Sequence, residues 1–249
     1  MIRELRSAAE VRAACGDDDL VVWAAQGLRG GARAWALGEA VAAACPRVSR
    51  RDRLAVRGGA VHAAGLVRHA LAELGPSYRP LGEAALMREV TGRLDGLEVA
   101  GRFSWMSLDT DVAGTDGTDG DDGGVGWLED DDIAQVAALL AAEAPSSYAV
   151  PGLAGVRRWA GVRAGGELAA VAADAWSAPT VGLLAGVATR ARHRGRGLAG
   201  RVCRWVSREL VAAYGRAALM VDDDNPPAIR VYERLGYRRR RVAACRAVG

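Results

Sequence analysis

The sequence contains no lysine; all 33 of its basic side chains are arginine. They are nearly balanced by 30 acidic residues, which leaves a formal net charge of +3. An Arg-for-Lys bias in an Ala-rich chain follows the base composition of a GC-rich genome and says little about function. Phenylalanine occurs once, as Phe103, and aromatic residues make up only 5% of the chain. The core must therefore be built from Ala, Val and Leu. Cys15, Cys45, Cys203 and Cys245 form no CxxC pair, and His62, His69 and His193 lack ligand spacing. This argues against a disulfide framework and against a metal, and for free thiols in a reducing cytoplasmic setting. No stretch reaches the ~18 uninterrupted apolar residues of a membrane span. The N-terminus MIRELRSAAE has no apolar signal core, so neither membrane insertion nor secretion is expected.

What is present is unevenly spread. Residues 109–124, DTDVAGTDGTDGDDGG, offer almost nothing to bury and read as a flexible acidic linker. The EF-hand ligand order is not met there, which argues against calcium. The linker divides the chain into an N-terminal α/β domain, 1–108, and a C-terminal domain, 125–249. In the first, 20–26 reads as a strand, 34–44 is ambiguous between strand and helix, 54–57 suggests a short strand and 61–74 an amphipathic helix. In the second, the pattern predicts a helix over 130–144 and strands over 156–162, 167–176 and 181–189. A helix over 198–214, a strand over 217–221, a helix over 226–235 and a strand over 237–244 follow. The order α-β-β-β-α-β-α-β describes a mixed α/β layer fold.

The chemistry concentrates at the end of the strand 181–189. Val187, Ala188 and Thr189 close an apolar run; an Arg-rich loop follows, and Gly195 and Gly197 precede a helix. Glycines let the backbone approach a ligand, and a helix N-terminus presents free N–H groups and a positive dipole end. Together they make an anion site suited to pyrophosphate, with Arg190, Arg192, Arg194 and Arg196 able to add charge. Gly195-x-Gly197-x-x-Gly200 also matches a dinucleotide fingerprint, with Asp222 at the distance of a ribose-binding acid. In that motif, however, the first glycine directly follows the strand, whereas here Arg190 to Arg194 intervene.

Arg194-Gly195-Arg196-Gly197-Leu198-Ala199 resembles the (Q/R)-x-x-G-x-(G/A) motif of the GNAT acetyltransferase superfamily, whose loop grips the pyrophosphate of coenzyme A. A second block, from Asn225 through Ala228 and Tyr232 to Gly236-Tyr237, resembles the N-x-x-A-x-x-x-Y-x-x-x-G-(F/Y) segment of the same superfamily. Its local logic is sound: Asn225 can cap a helix, Pro226 suits its first position and Gly236 its left-handed end. The resemblance covers roughly 125–249. It implies a GNAT-type mixed sheet flanked by helices, and the preceding half is similar in layout to the glycine N-acyltransferase-like branch. That half echoes strand, glycine turn and helix at 54–57, Gly58-Gly59 and 61 onward, as a degenerate GNAT-like copy would, but lacks the second block.

The resemblance implies an N-acyltransferase that takes acetyl-CoA as cosubstrate and no metal, with direct attack by an unidentified amine acceptor. Backbone groups at Val187, Ala188 and Thr189 would hold the pantetheine arm. The segment Arg194, Gly195, Arg196, Gly197, Leu198, Ala199 and Gly200 would bind pyrophosphate, and Asn225 and Ala228 would face the cofactor. Tyr232 is the implied general acid for the departing thiolate; a tyrosine near pKa ~10 is protonated at neutral pH. The strand 181–189 has no carboxylate, which leaves Glu129, Asp130, Glu167 and Asp174, a water chain, or an amine arriving neutral as the base. A non-catalytic coenzyme A sensor is the alternative from another class. The run Arg238–Arg241 lacks interleaved aromatics and reads as a solvated strand edge, so nucleic acid is not expected as a partner. A homodimer is compatible with this reading.

Overall fold

Runs of alternating small apolar residues, interrupted by amphipathic helices, give one continuous twelve-stranded sheet between two helical layers. The computed structural model describes residues 1–109 and 124–248. Of the segment read as a linker, 110–123 lie outside the described residues.

The first half runs β1 (Arg3–Leu5), α1 (Ala8–Ala14), α2 (Asp19–Ala25), β2 (Arg33–Leu37), β3 (Ala40–Val48), β4 (Arg51–Arg57), α3 (Ala60–Leu74), β5 (Arg79–Glu83), α4 (Ala84–Thr91) and β6 (Leu97–Asp109). The second runs β7 (Gly126–Trp127), α5 (Ile133–Glu143), β8 (Val156–Ala164), β9 (Glu167–Ala175), β10 (Gly182–Thr189), α6 (Leu198–Tyr214), β11 (Arg216–Asp222), α7 (Pro226–Arg234) and β12 (Arg238–Ala247). Every element expected after residue 125 is present. The ambiguous stretch 34–44 is the β2–β3 hairpin, which turns at Gly38 with φ +55°.

One expectation fails. Residues 20–26 are not a strand; Asp19–Ala25 is a helix. Asp18 caps it, accepting the Val21 N–H at 3.1 Å. All six residues from Leu20 to Ala25 are buried, so the segment has no polar face and its periodicity is silent. The signal that separates the two readings is the Asp17-Asp18-Asp19 run in front of it, an N-terminal capping pattern.

Alternation along each strand assigns the layers. In β3, Ala43 packs with α1 and α2, while Ala42 and Ala44 pack with α3. In β9, Val171 and Ala173 face α5, and Ala170 and Ala172 face α6. Helices α1, α2 and α5 thus cover one face, and α3, α4, α6 and α7 the other.

The strand order is β1-β2-β3-β4-β5-β12-β6-β11-β10-β9-β8-β7. The succession β-β-β-α-β-α-β occurs twice, as β2 to β6 and as β8 to β12. In each copy the third and fourth strands are parallel: β4 with β5, and β10 with β11. The last strands are exchanged. β12 pairs with β5 of the first copy, β6 pairs with β11 of the second, and the two lie side by side at the centre. The halves are also pinned on the α2 face: Trp23 Nε1 and Gln26 Nε2 both donate to the Trp176 carbonyl, at 2.9 and 3.1 Å.

Candidate active site

Strands β10 and β11 part company part-way along their length. They pair only through Gly182–Ala217, Leu183–Ala218 and Leu184–Leu219. Gly186, at φ +63°, then forms a bulge that shifts the register of β10 against β9 between Ala185 and Ala188. A side chain at Gly186 would collide with the Trp159 ring, so the bulge requires glycine. The gap opened by this divergence leads into a cavity of about 590 Å³.

The cavity has walls on both sides of the sheet. From the α7 side it is lined by Asn225, Ala228 and Tyr232, and along β10 by Leu183 to Val187. From the opposite face come Trp176, Tyr148, Phe103, Arg51, Arg53 and Arg79. Asp222, at the end of β11, contributes the one carboxylate among the described lining residues. Of the residues singled out by sequence, the structure gathers Val187, Asn225, Ala228 and Tyr232 around this space. Ala188, Thr189 and the segment Arg194 to Gly200 do not line it; they form the connection from β10 into α6. Ala188 and Thr189 are paired with Val171 and Ala170, and the Thr189 hydroxyl is buried without a partner.

That connection is a preformed cradle. Gly195 and Gly197 both hold left-handed backbone, φ +74° and +75°, and nothing lies within 4 Å of where a side chain would project from either. Gly197 caps α6 without any side-chain hydrogen bond, so the first-turn N–H groups are left to a ligand or water. Leu198 anchors the turn in the core. The arginines are less free than their sequence suggests. Arg192 Nε donates to Glu167 Oε1 at 2.6 Å, Arg190 lies 3.4 Å from Glu167, and Arg194 Nη2 donates to Glu143 Oε2 at 2.7 Å. Glu143 also accepts the Ala191 N–H at 2.9 Å. These contacts fix the loop, and of the four only Arg196 has no ion pair among the described residues.

The equivalent turn of the first half is shut. Glu39 Oε1 accepts the Gly59 N–H at 3.1 Å at the start of α3, and His62 Nδ1 lies 2.8 Å from Glu39 Oε2. A carboxylate of the chain itself occupies the place where an external anion would sit.

Tyr232 is 7% exposed, and its ring meets Tyr237 edge-on with centroids 6.0 Å apart. Burial, with Cys203 and Tyr237 nearby, raises its phenol well above the ordinary value, so it stays protonated. Asn225 Oδ1 caps α7 by accepting the Ala228 N–H at 3.2 Å. None of the four carboxylates considered as bases lines the cavity. Glu167 is held low by hydrogen bonds from Arg192 and His193. Asp174 is buried, accepting from Ser177 Oγ at 2.5 Å and Tyr214 Oη at 2.9 Å. Sequence reasoning missed Trp176, Tyr148, Arg51, Arg53, Arg79 and Asp222 as cavity residues. The Trp176 backbone has φ +55°, a costly conformation for a bulky residue, held by its N–H on the Gly155 carbonyl at 2.6 Å.

The family model for FR47-like proteins matches residues 160–247. Among solved structures, a GCN5-related N-acetyltransferase from Kribbella flavida superposes with a TM-score of 0.60 at 19% identity, over 92% of this chain and 95% of that one. The fold is of the GNAT type. An acetyltransferase of the GNAT family from Colwellia psychrerythraea superposes at 0.54 with 11% identity over the whole of both chains. A GCN5-related N-acetyltransferase from Sphaerobacter thermophilus gives 0.50 at 14% identity, over 98% of this chain and 95% of that one. These likenesses extend across both halves, whereas the family model matches only the second. No curated protein matches the sequence.

Proposed function

We propose that the chain is an acyl-CoA-dependent N-acyltransferase, with acetyl-CoA as cosubstrate and a primary amine as acceptor. The observation that carries this is the combination of an open glycine cradle at the head of α6 with a cavity in the β10–β11 gap that reaches a buried, protonated tyrosine. The N–H groups of the first turn of α6 and the Arg196 guanidinium would bind pyrophosphate. The backbone of β10 from Val187 to Thr189, freed from β11, would receive the pantetheine arm. Asn225 and Ala228 would border it from α7.

The acceptor nitrogen attacks the thioester carbonyl, forming the C–N bond. The C–S bond then breaks, and the thiolate takes the proton held by Tyr232. Asp222, which borders the cavity, would accept the proton that the amine gives up. Tyr232 is reprotonated from solvent through the cavity. The test is release of free thiol from acetyl-CoA, followed in the presence of a panel of amines. Amine-dependent thiol release supports the reading. Binding of coenzyme A with no release for any amine would leave a sensor instead. Binding alone is read from thermal stabilisation, which amounts to roughly 3 kcal/mol at a hundredfold excess over Kd.

A further inference from the structure

The first half places a group in the cavity that nothing else in the protein explains. Arg53, on β4, is 7% exposed, and its Nε is buried with no hydrogen-bond partner. Its neighbour across the parallel β4–β5 pair is Arg79, which also lines the cavity. Arg51 and Arg102 join them there. Arg51 Nη2 is hydrogen-bonded to the Tyr148 hydroxyl at 3.3 Å, and none of the four has an ion pair among the described residues. The surface arginines behave differently: Arg33, Arg57, Arg163, Arg192 and Arg246 each hold a carboxylate.

A buried guanidinium without a counter-charge is expensive, and burial pushes Arg53 down to about 10. Three features show that the site is built. Arg47, Ser49 and Arg50, in the β3–β4 turn beside Arg51, all hold left-handed backbone, with φ +54°, +50° and +59°. The turn is closed by the Arg47 N–H on Asp52 Oδ1 at 2.9 Å, which keeps that carboxylate occupied. Tyr148 reaches in from the second half, with its ring 6.0 Å from the Arg51 guanidinium carbon. Arg51, Arg53 and Arg79 then face a cavity with a single carboxylate among its described lining residues, Asp222.

We propose that Arg53, with Arg79 and Arg51, binds a carboxylate carried by the acceptor, so that the substrate is an amine bearing an acidic group, such as an amino acid. This rests on the acyl-transfer reading for the word "acceptor", but the carboxylate site stands on its own geometry. The cluster lies on the α2 face of the sheet, across the β10–β11 gap from α7 and the cradle, which puts it beyond the thioester. A planar guanidinium meets a carboxylate through two parallel hydrogen bonds, which would satisfy the stranded Nε.

The experiment compares matched amines with acetyl-CoA: alanine against alaninamide, and aspartate against its diamide. The acids are expected to have kcat/KM at least ~10-fold higher, the size of effect that loss of a charge-assisted hydrogen bond produces. Arg53→Met should raise KM for the acid ~10-fold or more, leave KM for acetyl-CoA unchanged and raise Tm, because a stranded charge has been removed. Equal turnover of acids and amides, with acceptor KM unchanged in Arg53→Met, would overturn the proposal while leaving acyl transfer standing. So would a preference for succinyl-CoA with neutral amines, which would place the carboxylate on the acyl chain. If no amine is turned over, calorimetric titration of aspartate into the protein with coenzyme A decides. Binding that Arg53→Met abolishes supports the site without the reaction, and absence of binding to the native protein refutes it.

Discussion

Tyr232 is the phenol proposed to protonate the departing thiolate, and its burial bears on that role. A phenol raised by desolvation is a proton carrier throughout the physiological range, not a base. Tyr232→Phe keeps the ring and its contact with Tyr237. It is expected to lower kcat about 10²-fold, within the range of a general acid, with KM for acetyl-CoA nearly unchanged. Steady-state kinetics check this, and an unchanged kcat would remove the assignment. The residue scale also shows where local sequence is mute. Asn225, Ala228 and Tyr232 were legible because they share one helix and a fixed spacing. Arg53, Arg79 and Trp176 were not, because they reach the same cavity from three separate strands or strand ends and no local pattern connects them.

Elements explain how the site is held open. The cradle before α6 depends on left-handed backbone at Gly197, and a Cβ there costs ~1–2 kcal/mol even though the space is free. That free space is where the proposed pyrophosphate would approach. Gly197→Ala is therefore expected to lower Tm by a few degrees and to raise KM for acetyl-CoA about tenfold with little change in kcat. Thermal melts and initial rates test the two effects separately. At the other end of the molecule, α2 is tied to β12 through Asp18, which receives Arg57 Nη1 at 2.9 Å and a shorter contact from Arg240. Burial raises this carboxyl, but the hydrogen bond and charge of Arg240, the Val21 N–H and Arg57 together outweigh it, and the net shift is downward. A depressed folded-state value means stability that is fully present above the unfolded value of 3.8 and lost as pH falls through the folded one. Asp18→Asn keeps the cap but not the charge. It should cost on the order of 2 kcal/mol at neutral pH, less than a fully buried pair because both arginines reach solvent. Urea titrations between neutral pH and pH 3 should show the difference between variant and parent shrinking in acid; a constant difference would place the stabilisation elsewhere.

At the scale of the molecule, two copies of one β-β-β-α-β-α-β succession have become unequal. The second keeps its glycine cradle open, and the first closes the matching turn with Glu39. One coenzyme A per chain is the expected stoichiometry by calorimetry, and two would show that the Glu39 plug yields. Exchange of the last strands means that neither copy has a complete sheet of its own, and the cavity draws residues from both. The sequence by itself determined the second half almost element by element, because its strands alternate, its helices carry capping residues and its two glycine-bearing blocks have fixed spacing. It also placed the cradle, since a turn before a helix is a local matter. It misread α2, where burial on every side erases periodicity. Only the tertiary structure decided that β6 and β12 cross over, that β10 splays at Gly186 and that Arg53 ends in the same cavity as Tyr232. Those facts depend on contacts between separate strands, from about thirty to well over a hundred positions apart, which packing determines and neighbouring residues cannot encode.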